Sequence, residues 1–201
     1  MIAIADERLA RQIQFLLEID GLKQVLRRSL ILGSARRENS AEHSWHLAML
    51  ALILHEHANE PVDLLYTIKL LLIHDIVELD AGDTFAYDFE AGKSKAEREQ
   101  DAAQRIFGLL PTDQAGELRA LWEEYEGMQS AESRFANALD RLMPMFHNLA
   151  DGGTTWQTGG VRPQFVADRA AAIGEGSAAL ATLAGEILRQ AQANGLFGEA
   201  S

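Results

Sequence analysis

The stretch Leu70-Leu71-Leu72-Ile73-His74-Asp75-Ile76-Val77-Glu78 constrains this chain most, because it sets an adjacent His-Asp pair in a long aliphatic run. From Pro61 to Leu79 the apolar positions Leu64, Leu65, Ile68, Leu71, Leu72 and Ile76 point to most sides of a helix. That pattern predicts a central helix with neighbours all round. A carboxylate taken out of water without a partner costs several kcal/mol. His74 and Asp75 therefore need company: a hydrogen bond between them, or a metal ion that satisfies both. Glu78 follows His74 by four residues, which places it on the same helical face.

Two other segments repeat the signature. Glu42-His43-Ser44-Trp45-His46 opens a helix predicted from Asn39 or Ser40 to about Ala58, with Asn39 and Glu42 at capping-box spacing. Ala138-Leu139-Asp140-Arg141-Leu142 sets a carboxylate on a mainly apolar stretch of a helix predicted over 130–149. Two imidazoles and two carboxylates suit Mn²⁺, Fe²⁺, Co²⁺, Ni²⁺ or Zn²⁺ better than Ca²⁺. The chain has no cysteine, so disulfides and thiolate-held zinc are excluded.

Further helices are predicted over 6–17, 93–109, 112–127 and 163–193, with a loop over 80–92 and glycine breaks at 152–153 and 159–160. No segment alternates with period two for more than a few residues, so the expected fold class is all-α, as one domain over 1–201. The paired glycines lack a strand–loop–helix context, which argues against a phosphate-binding loop. A net charge of −12 argues against a nucleic-acid partner or an anionic membrane surface. No uncharged apolar run reaches about 18 residues. The first residues lack a basic-then-apolar leader, so a cytoplasmic location is expected.

The ordered set His43…His74-Asp75…Asp140 resembles the HD-domain metal-dependent phosphohydrolase superfamily. Its flanks, Glu42-His43-Ser44, His74-Asp75-x-x-Glu78 with Gly82-Asp83, and Phe135-x-x-Ala138-Leu139-Asp140-Arg141, look like the 5′-deoxynucleotidase branch, as does Leu22-Lys23 through Arg27. The similarity runs over about 15–165. It implies an all-α HD-domain bundle, often a homodimer, with the metal site between central helices. It also implies that His43, His74, Asp75 and Asp140 ligate one divalent ion, whose identity among Co, Mn, Fe, Ni, Zn and Mg stays open. Glu78 would be the acid/base carboxylate, and Asp83 would hold the sugar and organise the site. Arg27 would contact the phosphate, with Arg28 as the neighbouring alternative and Arg36 and Arg37 as farther ones. The implied reaction turns a deoxyribonucleoside 5′-monophosphate, a small-molecule nucleotide, into deoxynucleoside and phosphate. Two readings stand beside it: hydrolysis of another nucleotide or small phosphoester, and a non-catalytic metal-binding scaffold. Trp45 lies near enough to His43 in sequence to border the substrate pocket. His46 reads as a partly exposed helix residue or a neighbour of the site, and His147 as structural.

Overall fold

The computed structural model describes residues 4–83 and 95–198. Helix α1 spans Glu7–Ile19 and leads through a 3₁₀ turn, Asp20–Gln24, into strand β1, Leu26–Leu30. Strand β2, Arg37–Asn39, returns antiparallel to it with an irregular register between Leu26 and Leu30. Helices α2 (Ser40–Leu54), α3 (Leu64–Ile73) and the short α4 (Glu78–Ala81) follow. Then come α5 (Lys95–Phe107), α6 (Thr112–Gly127), α7 (Ala131–Ala150), α8 (Thr154–Thr158), α9 (Pro163–Ala172) and α10 (Ala178–Ala193).

The all-α expectation holds for the architecture, with one small addition: the β1–β2 hairpin. Its inward positions are polar. Ser29 and Glu38 are buried and Arg27 is half-buried, while Leu26 and Arg28 are exposed. An alternation that faces a charged site rather than an apolar core gives no hydrophobic period to read.

Two expected helices are interrupted. The run over 61–79 ends as α3 at Ile73, and residues 74–77 form turns closed by the i→i+3 bonds Ile76 N to Ile73 O (3.1 Å) and Glu78 N to Asp75 O (3.0 Å). Aliphatic periodicity continues through the break because both sides are buried: Leu70 and Leu71 lie in one core, Ile76 and Val77 in another. Ile73 packs on both. The final run over 163–193 breaks at Ile173–Glu175. There Gly176 lies so close to α7 that a Cβ would sit 2.3 Å from the Arg134 carbonyl. Ser177 then restarts the chain, its Oγ accepting from Leu180 N as the cap of α10.

The capping box of α2 forms as its spacing predicts, with Asn39 Oδ1 accepting from Glu42 N at 2.9 Å and Glu42 Oε2 accepting from Asn39 N at 3.1 Å. This fixes the entry of the helix that carries His43 one residue later. The larger core gathers Leu47, Leu70, Leu71, Phe135, Leu139, Leu142 and Trp156, all at most 1% exposed. Each such side chain stabilises the fold by about 1.5–3 kcal/mol through burial. The smaller core joins Phe15, Ile106, Phe107 and Trp122. No helix among the described residues is long and apolar enough to cross a membrane.

Candidate metal centre and active site

His43 comes from the first turn of α2, His74 from the residue capping α3, Asp75 from the turn after it, and Asp140 from the middle of α7. The ligand atoms of His43, His74 and Asp140 lie within 4.8 Å of one another. His43 Nε2 is 2.9 Å from Asp140 Oδ1 and 4.0 Å from Asp75 Oδ2. His74 Nε2 is 3.0 Å from Asp75 Oδ1. His43 is fully buried, and His74 and Asp75 nearly so. Helix α7 carries Pro144 four residues after Asp140, so the Asp140 carbonyl receives no i+4 bond in mid-helix.

The ring nitrogens show whether a metal fits. His74 Nδ1 donates to the Leu71 carbonyl at 2.8 Å, which turns Nε2 toward the cluster. That Nε2 is buried and meets no hydrogen-bond geometry among the described residues. His43 Nδ1 faces Glu38 Oε2 at 3.3 Å, which orients its ring and directs Nε2 inward. Two oriented imidazoles and two carboxylates form a mixed N/O set that fits a divalent ion.

Arg27 enters from β1. Its Nη1 donates to Asp75 Oδ2 at 2.7 Å and lies 3.8 Å from both Glu78 Oε2 and Asp83 Oδ1. Its Nη2 lies 3.9 Å from Asp140 Oδ1. Of the four candidate arginines, Arg27 is thus the one the fold brings to the cluster. Arg28 is exposed, Arg36 pairs with Glu42 at 2.8 Å, and Arg37 donates to the Leu26 and Arg27 carbonyls. Glu78 is buried at the start of α4 and accepts from Ser40 Oγ at 2.7 Å. Gly82, at φ 74°, takes a left-handed turn that L side chains rarely adopt and leads into Asp83 beside Arg27.

Burial and crowding of like charge set the protonation states. Burial raises Glu78 to about 8, and the charges of Asp75 and Asp83 push the same way against Arg27. Burial likewise raises Asp83, with Arg27 opposing. For His74, burial opposes the charged imidazole, but Asp75 and Asp140 outweigh it and lift the ring to about 9. Asp140 is held well below the usual carboxylate range: burial works against its charge, and His43, His74 and Arg169 prevail.

These directions fix a pH response. A ligating imidazole must be neutral, so metal binding displaces a proton from His74 at neutral pH. Metal affinity is expected to rise with pH up to about 9, with proton release visible as a dependence of titration heat on buffer ionisation enthalpy. Both raised groups favour the folded state at low pH. In metal-free protein the Glu78 contribution is complete below about 4.3 and that of His74 below about 6.5. They fade as pH climbs through about 8 and about 9 respectively. Calorimetric melting in chelator should show stability falling as pH rises from about 4.3 to about 9 and levelling above that, and a flat profile across the range would refute the assignment.

Trp45 is not brought to the cluster. It is 65% exposed, and its ring neighbour is His46 at a centroid distance of 6.0 Å. As the second residue after His43 on a helix, it faces away from the buried side that His43 occupies. Two residues that sequence reasoning did not single out do reach the site. Glu38 is buried behind His43, and Arg169, on α9, holds Nη2 3.6 Å from Asp140 Oδ2. Neither carries a periodic signal: Glu38 is one charge in a charged hairpin, and Arg169 one arginine in an alanine-rich helix. Most of the loop expected over 80–92 lies outside the described residues.

The fold and this His/Asp centre define a mainly helical scaffold with a candidate metal site. Residues 19–181 match the HD domain family, and the chain belongs to that family. A crystal structure described as a predicted metal-dependent phosphohydrolase from Magnetospirillum magnetotacticum is 48% identical, covers 98% of this chain and 100% of that one, and superposes with a TM-score of 0.92. Proteins named 5′-deoxynucleotidase HDDC2 from Bos taurus and Homo sapiens are 34% and 33% identical over 64% of this chain. The chain spans 62% of the length of each of these two relatives.

Proposed function

We propose that the protein is a metal-dependent phosphomonoesterase that hydrolyses deoxyribonucleoside 5′-monophosphates to deoxynucleoside and phosphate. The observation that carries the reading is the buried meeting of His43, His74 and Asp140 with Arg27 and Glu78 at its edge. The HDDC2 relatives support the substrate class, and the Magnetospirillum neighbour supports phosphohydrolysis. His43, His74, Asp75 and Asp140 would hold one divalent ion, whose identity within Co, Mn, Fe, Ni, Zn and Mg a metal panel would assign. Bound there, the ion supplies Lewis-acid activation of water and offsets phosphoryl charge.

The chain's own groups do the rest. Arg27 is already held among carboxylates by its fork of donors and can turn that fork to two phosphoryl oxygens. Water attacks phosphorus in line with the 5′-oxygen, and the P–O5′ bond breaks. Glu78 carries a proton at neutral pH and gives it to the departing oxygen, the proton that the attacking water sheds returns to the Glu78 carboxylate, and Ser40 holds that carboxyl in place. Asp83, beside Arg27, is placed to hold the sugar and organise these groups. Phosphate release should be metal-dependent and should favour deoxyribonucleotides over ribonucleotides across a panel of nucleoside monophosphates. Release from other phosphoesters alone would move the protein to a wider phosphohydrolase role. No release with any divalent ion would sink the enzymatic reading.

A homodimer is the proposed assembly. Trp45, Met49, Leu52 and Ile53 are exposed at i, i+4, i+7, i+8 on α2, and Leu65 and Leu72 are exposed on the adjoining α3. Ile53→Glu is expected to convert a dimer to a monomer in analytical ultracentrifugation. A wild-type chain that sediments as a monomer at high concentration would refute this. The absence of cysteine suits a cytoplasmic setting.

A further inference from the structure

On the far side of His43 a second cluster closes. Glu38 on β2, His46 on α2 and His147 on α7 each offer a ligand atom, all within 4.8 Å of one another. Glu38 and His147 are 4% and 3% exposed. Among the described residues, His147 Nδ1 is buried without a hydrogen-bond partner, and Glu38 Oε2, although it faces His43 Nδ1 at 3.3 Å and Arg27 Nε at 3.9 Å, meets no hydrogen-bond geometry. A ring nitrogen left unpaired at such depth is costly unless something meets it. The His46 and His147 rings lie 6.0 Å apart, tilted by 33°.

From this geometry we infer a second divalent-metal site, formed by Glu38, His46 and His147 and distinct from the His43/His74/Asp140 centre. Two neutral imidazoles and one carboxylate suit Zn²⁺, Co²⁺, Ni²⁺ or Fe²⁺. Burial holds His147 toward its neutral form, which keeps its lone pair available. A tetrahedral ion about 2.1 Å from each donor needs donor separations of about 3.4 Å, so donors within 4.8 Å of one another close in by at most about 1.4 Å. His46 is only partly buried and has room to do so. An entry path exists: His46 and His147 line a cavity of about 490 Å³ with Leu32, Leu50 and Phe146. The remaining coordination positions would be filled from that side.

The two sites share one carboxylate. Glu38 faces His43 Nδ1 at 3.3 Å, so an ion on Glu38 draws on the same group that orients a ligand of the first centre. Occupancy of the second site should therefore tune the affinity of the first. The second site itself does not depend on the proposed reaction.

Co²⁺ uptake after desalting, measured by elemental analysis and d–d absorption, tests the inference on the full chain. Wild type is expected to hold one equivalent more than His46→Ala, with a matching loss of visible absorption. His147→Gln should lose the same equivalent. Asp140→Asn should lose a different one and keep the His46-dependent band. Because His46 is partly exposed, its truncation should leave the circular dichroism unchanged. Equal cobalt content in wild type and His46→Ala would overturn the second site, whatever the first site binds and whether or not any nucleotide is hydrolysed.

Discussion

Glu78→Ala is expected to lower kcat by about 10²–10⁴-fold while the metal content stays at the wild-type level. Glu78 lies outside the tight His43/His74/Asp140 set, so its loss removes a proton donor and not a ligand of that set. Its environment suits a donor. Burial and the nearby Asp75 hold the proton on to about pH 8, and Ser40 Oγ fixes one carboxyl oxygen at 2.7 Å. Glu78→Gln keeps the shape and the Ser40 contact but transfers no proton, so it should be nearly as slow as Glu78→Ala. In wild type the rate should fall as pH rises above about 8, where the donor is spent. That alkaline limb should vanish from the residual activity of the Gln variant. Stopped assays of phosphate release with elemental analysis of the same samples decide it. Full turnover in Glu78→Ala, or loss of metal in step with activity, would refute the role.

Arg27→Ala should destabilise the metal-free protein by about 3–5 kcal/mol, the usual cost of breaking one side of a buried ion pair. The melting temperature should fall by about 10 °C, given about 2–4 °C per kcal/mol at this size. Arg27 is the cation nearest to Asp75, Glu78 and Asp83 together, at 2.7, 3.8 and 3.8 Å. Without it those carboxylates repel one another in a buried site. A divalent ion replaces the missing charge, so saturating Mn²⁺ or Co²⁺ should restore much of the loss through preferential binding to the folded state. The restored variant should still show a raised KM, since Arg169, the other arginine at the site, stands beside Asp140 and leaves the Asp75/Glu78/Asp83 side without a guanidinium. Arg27→Lys should recover stability better than activity, because an ammonium keeps the charge and loses the fork. An Arg27→Ala variant that melts at the wild-type temperature in chelator would show that the guanidinium is not the counter-ion of this cluster.

Most of the helices and the set of candidate donors are legible along the chain. Helix periodicity marked α1, α2, α5, α6 and α7. Asn39 and Glu42 announced the start of α2, and the His-Asp pair in an aliphatic run announced a buried charge in need of a partner. These signals are local, carried by residues within a turn or two of each other, so they are legible before folding. The breaks were not. Residues 74–77 leave the helix, and 173–177 split the last one, because packing on two cores and a close approach to α7 override propensity. The hairpin was hidden because its inward face is polar. Only the tertiary structure decided which arginine enters the cluster, that Trp45 stays at the surface, that Arg169 reaches Asp140, and that Glu38 stands between His43 and a second pair of histidines. Several of those are contacts between residues more than a hundred positions apart. Buried charge has no period along a chain, and its partners appear only where helices and hairpin converge.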